Sequence, residues 1–356
     1  MKAIILVGGF GTRLRPLTLH QPKPLLPIFN RPFVSYQLDA LKKGGVTDVV
    51  FALGYKANMW QRTLKKLVPS GMRVSMAIEK TPLGTGGAIR FAYEKLRNRG
   101  KSWDNEPVAV LNGDIFLNLD LPKFVSFHQK KKSHISVALT HKENVTNFGL
   151  VKFDRNGKIT QFLEKPNQSK PGFINAGAYL FNSSLIQGIP KRSCSVEREV
   201  FPGHLKKGTP MYGYLLKGYW NDIGTPQTYL GAHLELIRLK NHWTQREFFR
   251  KRGIQKGSGV WLGRSVSLGR YALIGDQSKI GNNVSLKGTV CVGKNVRIDD
   301  DCIIEDSVIF DHCRIDKGAQ IRKTVIGRKC RVGVGVVIKE GSFLGEETIL
   351  TPFSKV

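Results

Sequence analysis

Two hydrophobic periods run along this 356-residue chain. In the first half, short β-rich apolar runs alternate with stretches whose apolar residues recur at helical spacing. Lys2–Val7, Asp48–Ala52, Arg73–Ile78 and Val108–Leu111 read as buried strands. Phe33–Lys43, Met59–Leu67 and Gly86–Asn98 read as the helices between them. Strand, helix and strand in repetition predict an α/β domain with a mostly parallel sheet covered on both faces. In such sheets ligands bind beyond the carboxyl ends of the strands, so Gly8–Gly11 and Asn112-Gly113-Asp114 are expected on one rim.

The second half keeps a period of six. Aliphatic residues recur at Leu262, Leu268, Ile274, Ile280, Leu286, Val292, Ile298 and Ile304. Two residues earlier stand Val260, Val266, Ala272, Ser278, Val284, Val290, Val296 and Cys302, small or apolar throughout. Glycine follows the aliphatic position at Gly263, Gly269, Gly275, Gly281 and Gly293. Neither a helix of 3.6 residues per turn nor one long alternating strand has this period, whereas a hexapeptide-repeat β-helix does: short strand, then a turn where glycine tolerates unusual backbone angles. The phase slips after Phe310 and resumes at Ile315 and Ile321. The boundaries implied are a first domain over 1–235, a basic linker helix over 236–255 and a β-helix over 256–356.

Composition adds few exclusions and one puzzle. Five cysteines without a CxxC pair do not form a disulfide framework or a zinc site, and reduced thiols in a cytoplasm fit them best. The opening MKAIILVGG reaches glycine too soon for a secretory signal, and no apolar run has the roughly 20 residues that a membrane-spanning helix needs. The net charge of +29 draws polyanions. Its clusters, Lys130–Lys132 and Arg246–Lys256, lack interleaved aromatics, so they read as solvated surface rather than a nucleic-acid interface or a membrane anchor. His20, His128, His134, His141 and His204 form no motif with metal-ligand spacing.

Candidate chemistry begins directly after the first strand, at GGFGTRLRPLT (Gly8–Thr18). Glycines there let backbone N–H groups approach phosphate closely. The loop is neither GxxxxGK[ST] nor GxGxxG, and alone it also admits a reading as a tight strand-to-helix turn. Arg13 and Arg15 close behind, and Lys23 held between Pro22 and Pro24 in an extended segment, favour a polyphosphate.

GGxGTRLxPLT followed by PKPLLP resembles the signature of the sugar-phosphate nucleotidyltransferases. The resemblance continues in order through Leu83–Gly87 (LGTGG), Asn112-Gly113-Asp114, Glu164-Lys165-Pro166, Asn175-Ala176-Gly177 and Gly218–Pro226 (GYWNDIGTP), and with the C-terminal repeat it spans nearly the whole chain. It implies a Rossmann-like nucleotidyltransferase domain followed by a left-handed β-helix. It also implies a reaction in which a sugar 1-phosphate attacks the α-phosphorus of a nucleoside triphosphate and expels pyrophosphate. On this resemblance Arg13, Lys23 and Lys165 are catalytic cations. Leu6, Gly8, Gly9, Gly11, Thr12, Leu83, Gly84, Thr85, Gly86 and Asp114 line the nucleotide, with Leu83–Gly87 facing its base. Gly149, Glu164, Lys165, Asn175 and Asp222 take the sugar phosphate, and Asp114 and Asp222 hold Mg²⁺.

The GYWxDIGTP segment, Val196–Pro202 and the β-helix are most similar to the mannose-1-phosphate guanylyltransferases, while LGTGG is closer to the heptose-1-phosphate guanylyltransferases. GTP and mannose 1-phosphate are therefore the expected substrates, with heptose 1-phosphate, or thymidylyl or uridylyl transfer to glucose 1-phosphate, as alternatives. Non-catalytic regulatory or assembly subunits share this fold, but Arg13, Lys23, Asp114, Lys165 and Asp222 are all retained. An acyltransferase reading of the hexapeptide repeat is weaker, since His312 at the phase slip has no visible partner. The repeat is expected to mediate homo-oligomerisation.

Overall fold

The computed structural model describes residues 1–54, 57–97, 106–167, 169–238 and 253–356. They divide into two compact units. One comprises Met1–Gly9 with Val34–Asp222, the other Phe10–Phe33 with Ile223–Val356. Most of the expected basic linker, including the charged run from Arg246, lies outside the described residues.

The first unit is built on β1 (Lys2–Val7), α1 (Phe33–Lys43), β2 (Asp48–Leu53), α2 (Ala57–Leu67), β3 (Arg73–Ile78), α3 (Gly84–Arg97) and β4 (Pro107–Asn112). The expected strands and helices are all present, within two residues at each end. β1 pairs in parallel with β2 on one side and β4 on the other, and β3 extends the sheet beyond β2. β1, β2 and β4 are buried almost throughout, which is why they read as continuous apolar runs rather than alternating ones.

Beyond β4 the sheet becomes mixed. After β5 (Ile115–Leu117) and α4 (Leu121–Lys130) come β6 (Ile135–Lys142), β7 (Gly149–Phe153), β8 (Ile159–Glu164) and β9 (Gly172–Asn182). The long β9 runs antiparallel to β4, β6 and β7, and β8 closes a hairpin with β7. A core cluster that includes Val110, Val137, Tyr179 and Phe181 holds these parts together.

In the second unit, strands of two to four residues stack into three parallel sheets, those of a left-handed β-helix. Residue n pairs with residue n+18, three hexapeptides on, as in Trp261 with Lys279. From Cys291↔Val308 the offset is 17, and it returns to 18 at Val325↔Phe343. The slip therefore lies before Phe310 rather than after it. The turns at Asp306-Ser307 and Lys323-Thr324 are each one residue shorter than their counterparts, so the aliphatic series steps from Ile304 to Ile309, and from Ile321 to Ile326. Cys302, Cys313 and Cys330 occupy the same interior column type as Val284 and Val296, with their thiols on backbone carbonyls of Asp316, Gly327 and Gly345.

The glycines of the repeat have a different cause from the one expected. Gly263, Gly275, Gly281 and Gly293 are not in the left-handed region; that conformation falls on residues such as Gln277, Asn283, Asn295 and Asp301. Instead, a Cβ on Gly275 would lie 2.5 Å from the backbone of Gly293 in the next coil, and one on Gly263 would lie 2.7 Å from Gly281. Close stacking of coils excludes the side chain there.

One polar anchor at the start of β2 gives a pH prediction. Asp48, 2% exposed, accepts from Arg73 Nε at 2.7 Å and Nη2 at 2.9 Å, and from Thr47. The Arg73 hydrogen bond, with help from Thr47, holds its carboxyl below the usual range against the opposing effect of burial. Its stabilising contribution is complete above the ordinary aspartate pKa of about 4 and is lost as pH falls through the lower folded value. Asp48→Asn should therefore cost about 1–2 kcal/mol at pH 7, and the gap to the parent protein should narrow below about pH 4. Denaturant titrations across pH test this, and a gap independent of pH would contradict it.

Candidate functional site

The carboxyl ends of four parallel strands meet on one rim. Val7 pairs with Leu53, Leu53 with Ile78, and Leu6 with Ala52 and Asn112. The residues that follow these ends are Gly8, Gly54, Glu79 and Gly113. Gly113 N–H donates to Leu6 O at 2.8 Å, which carries the β1–β4 ladder one residue past the strand. A Cβ on Gly113 would lie 2.2 Å from Val7 Cγ1, so only glycine lets the turn bearing Asp114 sit this close. From α1, Gln37 Nε2 reaches Asn112 O at 2.9 Å and Ile115 O at 3.1 Å, pinning both sides of that turn.

Asp222 joins Asp114 through the sheet. β5 pairs antiparallel with the strand Trp220–Asp222, and the register sets Asp222 opposite Ile115, the residue after Asp114. The two carboxylates, 108 positions apart in sequence (222 − 114), stand at the end of one two-stranded ladder. Trp220 Nε1 donates to Ala176 O at 3.0 Å, and the Trp220 ring meets Phe148 edge-on at 5.5 Å. The segments carrying Gly149, Asn175 and Asp222 are thereby tied together.

At the carboxyl end of β3, Glu79 is a candidate the sequence reading missed. Its Oε2 accepts from Leu83 N–H at 3.0 Å, while its buried Oε1 has no hydrogen-bond partner among the described residues. A Cβ on Gly8 would lie 3.9 Å from that Oε1. Burial raises the Glu79 carboxyl above the usual range, opposed by the Leu83 hydrogen bond. Position after an apolar strand was the one available signal, and it did not distinguish this glutamate from a surface residue. Gly84, Gly86 and Gly87 have a packing cause: side chains there would collide with the backbone or thiol of Cys194 and with Arg192 O. Gly84 also takes a left-handed φ of 66° as it opens α3.

A second polar cluster lies on β7, β8 and β9. Gly149 pairs with Glu164, and a Cβ on it would lie 2.9 Å from Glu164 Oε2. Asn175 Nδ2 donates to Tyr179 Oη at 2.7 Å, and its Oδ1 accepts from Gly177 N–H at 2.9 Å. Glu197 Oε2 accepts from Thr85 Oγ1 at 2.8 Å and Ser195 Oγ at 3.0 Å, linking this cluster to the start of α3. Burial first, and then the charge of Glu197, push Glu164 upward, while Lys165 and Arg198 oppose them. Burial also keeps the Tyr179 phenol well above its usual range, so it remains a hydrogen-bond donor. Lys165 is exposed and has a left-handed φ of 50°, with its N–H on Phe148 O at 3.1 Å. Tyr179 and Glu197 are further residues that no local motif revealed.

Gly11, Thr12, Arg13 and Lys23 belong to the second unit. Gly11 has φ 61°, and its carbonyl accepts from Leu14 N–H and from Thr18 Oγ1 at 2.8 Å. Arg13, exposed, lies in the 3-10 turn Thr12–Leu14. Lys23 is buried and starts a second such turn, Lys23–Leu25, instead of continuing an extended segment. Pro22 and Leu26 flank the turn in extended conformations, and Leu26 N–H closes it onto Lys23 O at 3.0 Å.

Among the described residues, no group of three or more His, Cys, Asp or Glu is gathered as a metal site, and no helix is long and apolar enough to cross a membrane.

A mixed sheet with this rim, followed by a hexapeptide β-helix, defines a nucleotidyltransferase, and the chain belongs to the nucleotidyl transferase family, which matches residues 2–238. Residues 251–356 match the LbH domain of the EIF2B epsilon subunit. Over nearly its whole length the chain is similar to the probable mannose-1-phosphate guanylyltransferase 3 of Oryza sativa subsp. japonica. The two are 33% identical over 356 residues, covering 98% of this chain and 91% of the relative. It is 38% identical to the mannose-1-phosphate guanyltransferase beta-A of Xenopus laevis over 68% of this chain and 67% of that one. Among solved structures it resembles HddC from Yersinia pseudotuberculosis complexed with GMP-PN, at 29% identity and a TM-score of 0.55, over 66% of this chain and 98% of that one.

Proposed function

We propose that this protein transfers GMP from GTP to mannose 1-phosphate, forming a nucleotide sugar and releasing pyrophosphate. The observation that carries the reading is the juxtaposition of Asp114 and Asp222 on the rim of a chain that is similar over 98% of its length to a relative named for this activity. The chemistry must bring two anionic phosphates together. At 4 Å, a pair of unit charges repels by about 4 kcal/mol at an effective dielectric of about 20. Arg13 and Lys23 offset the charge of the triphosphate and of the departing pyrophosphate, and Lys165 binds the sugar phosphate. Backbone amides of Gly8, Gly9 and Gly11, with Leu6 and Thr12, complete the proposed nucleotide-binding set. The start of α3, Leu83–Gly86, borders the base.

Asp114 and Asp222 form a donor set suited to Mg²⁺, which takes one or two carboxylates and completes its shell with substrate phosphates and water. Asp114 and Asp222 would hold the ion, which would supply positive charge against the phosphates of the two substrates. Glu164 and Asn175 accept and donate to sugar hydroxyls beside the glycine backbone at Gly149, with Tyr179 and Glu197 fixing their orientation. Incubating the protein with Mg²⁺, each of five nucleoside triphosphates and a panel of sugar 1-phosphates should give metal-dependent pyrophosphate release, strongest with GTP and mannose 1-phosphate. Asp114→Ala or Asp222→Ala should lower kcat by about a hundredfold or more while leaving the fold intact. Turnover close to that of the unmutated protein would remove the carboxylates from the mechanism.

Glu79 favours guanine on chemical grounds. The Watson–Crick edge of guanine offers two adjacent N–H donors, and a carboxylate with an unpartnered buried oxygen is the acceptor they need. Glu79→Ala should reduce kcat/KM for GTP by about tenfold or more and narrow the preference for GTP over the other triphosphates. An unchanged preference would exclude Glu79 from base recognition.

A cytoplasmic location is part of this proposal, supported by five cysteines that form no disulfide. The β-helix is proposed to join copies into a homo-oligomer, with the exposed Trp261 and Ile349 on one of its sheets as apolar anchors. Light scattering should return a multiple of the 39.8 kDa chain mass; a monomer at micromolar concentration would exclude it.

A further inference from the structure

The second unit contains both the β-helix and the Phe10–Phe33 segment, whose Arg13 and Lys23 are assigned above to the triphosphate. The segment is tied to the β-helix by particular atoms. Its hairpin, Pro27–Ile28 against Arg31–Pro32, turns at Phe29 and Asn30, both left-handed with φ 48° and 60°. From that tip Asn30 Nδ2 donates to Val292 O at 2.7 Å, on a coil of the β-helix. At the other end of the segment, a Cβ on Gly345 of a later coil would come within 3.2 Å of Pro16 Cβ.

The helix Pro226–Arg238 completes the attachment. His233, 1% exposed, accepts from Phe29 N–H with Nε2 at 3.4 Å, and its ring meets those of Phe29 and Tyr229. Tyr229 Oη donates to Pro27 O, and the Tyr229 ring reaches Phe310 of the β-helix at a centroid distance of 6.1 Å. The outward face of one of the three β-helix sheets, with Leu273, Cys291, Val308 and Val325, is buried. Nothing in a hexapeptide repeat needs Asn30 or Gly345 for its own coil stacking.

We infer that the β-helix positions the phosphate-binding segment, with Asn30, His233 and Gly345 acting as positioning residues for Arg13 and Lys23. It follows that a change on a β-helix coil, far along the chain from the phosphate loop, alters triphosphate binding. The inference rests on the assignment of Arg13 and Lys23 to the triphosphate.

Steady-state kinetics of full-length variants test it. Asn30→Gly keeps the left-handed backbone and removes the donor; Gly345→Leu wedges Pro16, and Gly345→Ala is a milder wedge if the larger one fails to fold. Each should raise KM for GTP by about fivefold to tenfold, the effect of one hydrogen bond, with KM for mannose 1-phosphate within about twofold of the parent. Combined with Arg13→Ala, Asn30→Gly should add less than its full effect in the parent, because Arg13 is one of the two cations it positions. Amide exchange should accelerate within residues 10–33. A lowered melting temperature with both KM values unchanged, or full additivity with Arg13→Ala, would overturn the inference. If Arg13→Ala and Lys23→Ala themselves leave KM for GTP unchanged, the assignment of those cations fails instead, and amide exchange in Asn30→Gly still decides whether the β-helix holds the segment.

Discussion

Parallel pairing of β1 with a neighbour on each side is the constraint from which the site follows. It aligns the carboxyl ends of four strands, and Gly8, Gly54, Glu79 and Gly113 are the residues that follow those ends. The ladder continues through Gly113 N–H to Leu6 O, and no side chain fits at Gly113. Asp114 is thereby placed at a fixed height above the sheet, and Asp222 is registered against its neighbour Ile115. In the mixed part of the sheet, β7, β8 and β9 bring Gly149, Glu164 and Asn175, the residues proposed for the second substrate, side by side.

The electrostatics of the first unit divide by task. Glu79 and Glu164 are both raised by burial, and Glu164 also by the nearby charge of Glu197. Such acceptors, held without full compensation, gain most when ligand N–H or O–H groups arrive. Phosphate charge calls for cations instead, the role proposed for Arg13 and Lys165, which are exposed, and for Lys23, which is buried. The large positive charge of the chain adds long-range attraction for anionic substrates without specifying either one.

The β-helix uses the same physical rule twice. Coils stack so closely that Gly263 and Gly275 leave no room for a Cβ, and Gly345 leaves room for Pro16 in the same way. Its short turns at Asp306 and Lys323 shift the register by one residue without interrupting the aliphatic interior, since Ile304, Ile309, Ile321 and Ile326 all remain buried. A regular solenoid thus tolerates local irregularity in its corners while keeping one surface constant for the segment it holds.

The periodicities of the sequence determined the elements: runs of buried strand, helices at 3.6-residue spacing and a six-residue repeat each record which face of a residue is buried locally. The ordered motifs also determined the family, since Arg13, Lys23, Asp114, Lys165, Asn175 and Asp222 could be named without coordinates. Local patterns carry no information about which strand edges meet, so only the tertiary structure set Asp222 opposite Ile115, placed Glu79 beside Gly8 and drew Tyr179 and Glu197 to Asn175. Chain order likewise assigned residues 10–33 to the first domain, whereas the structure groups them in one compact unit with the β-helix, Asn30 bonding to a coil and Phe29 to His233 of the helix Pro226–Arg238. Those contacts span more than 200 residues, and long-range packing of this kind leaves no period in the sequence to read.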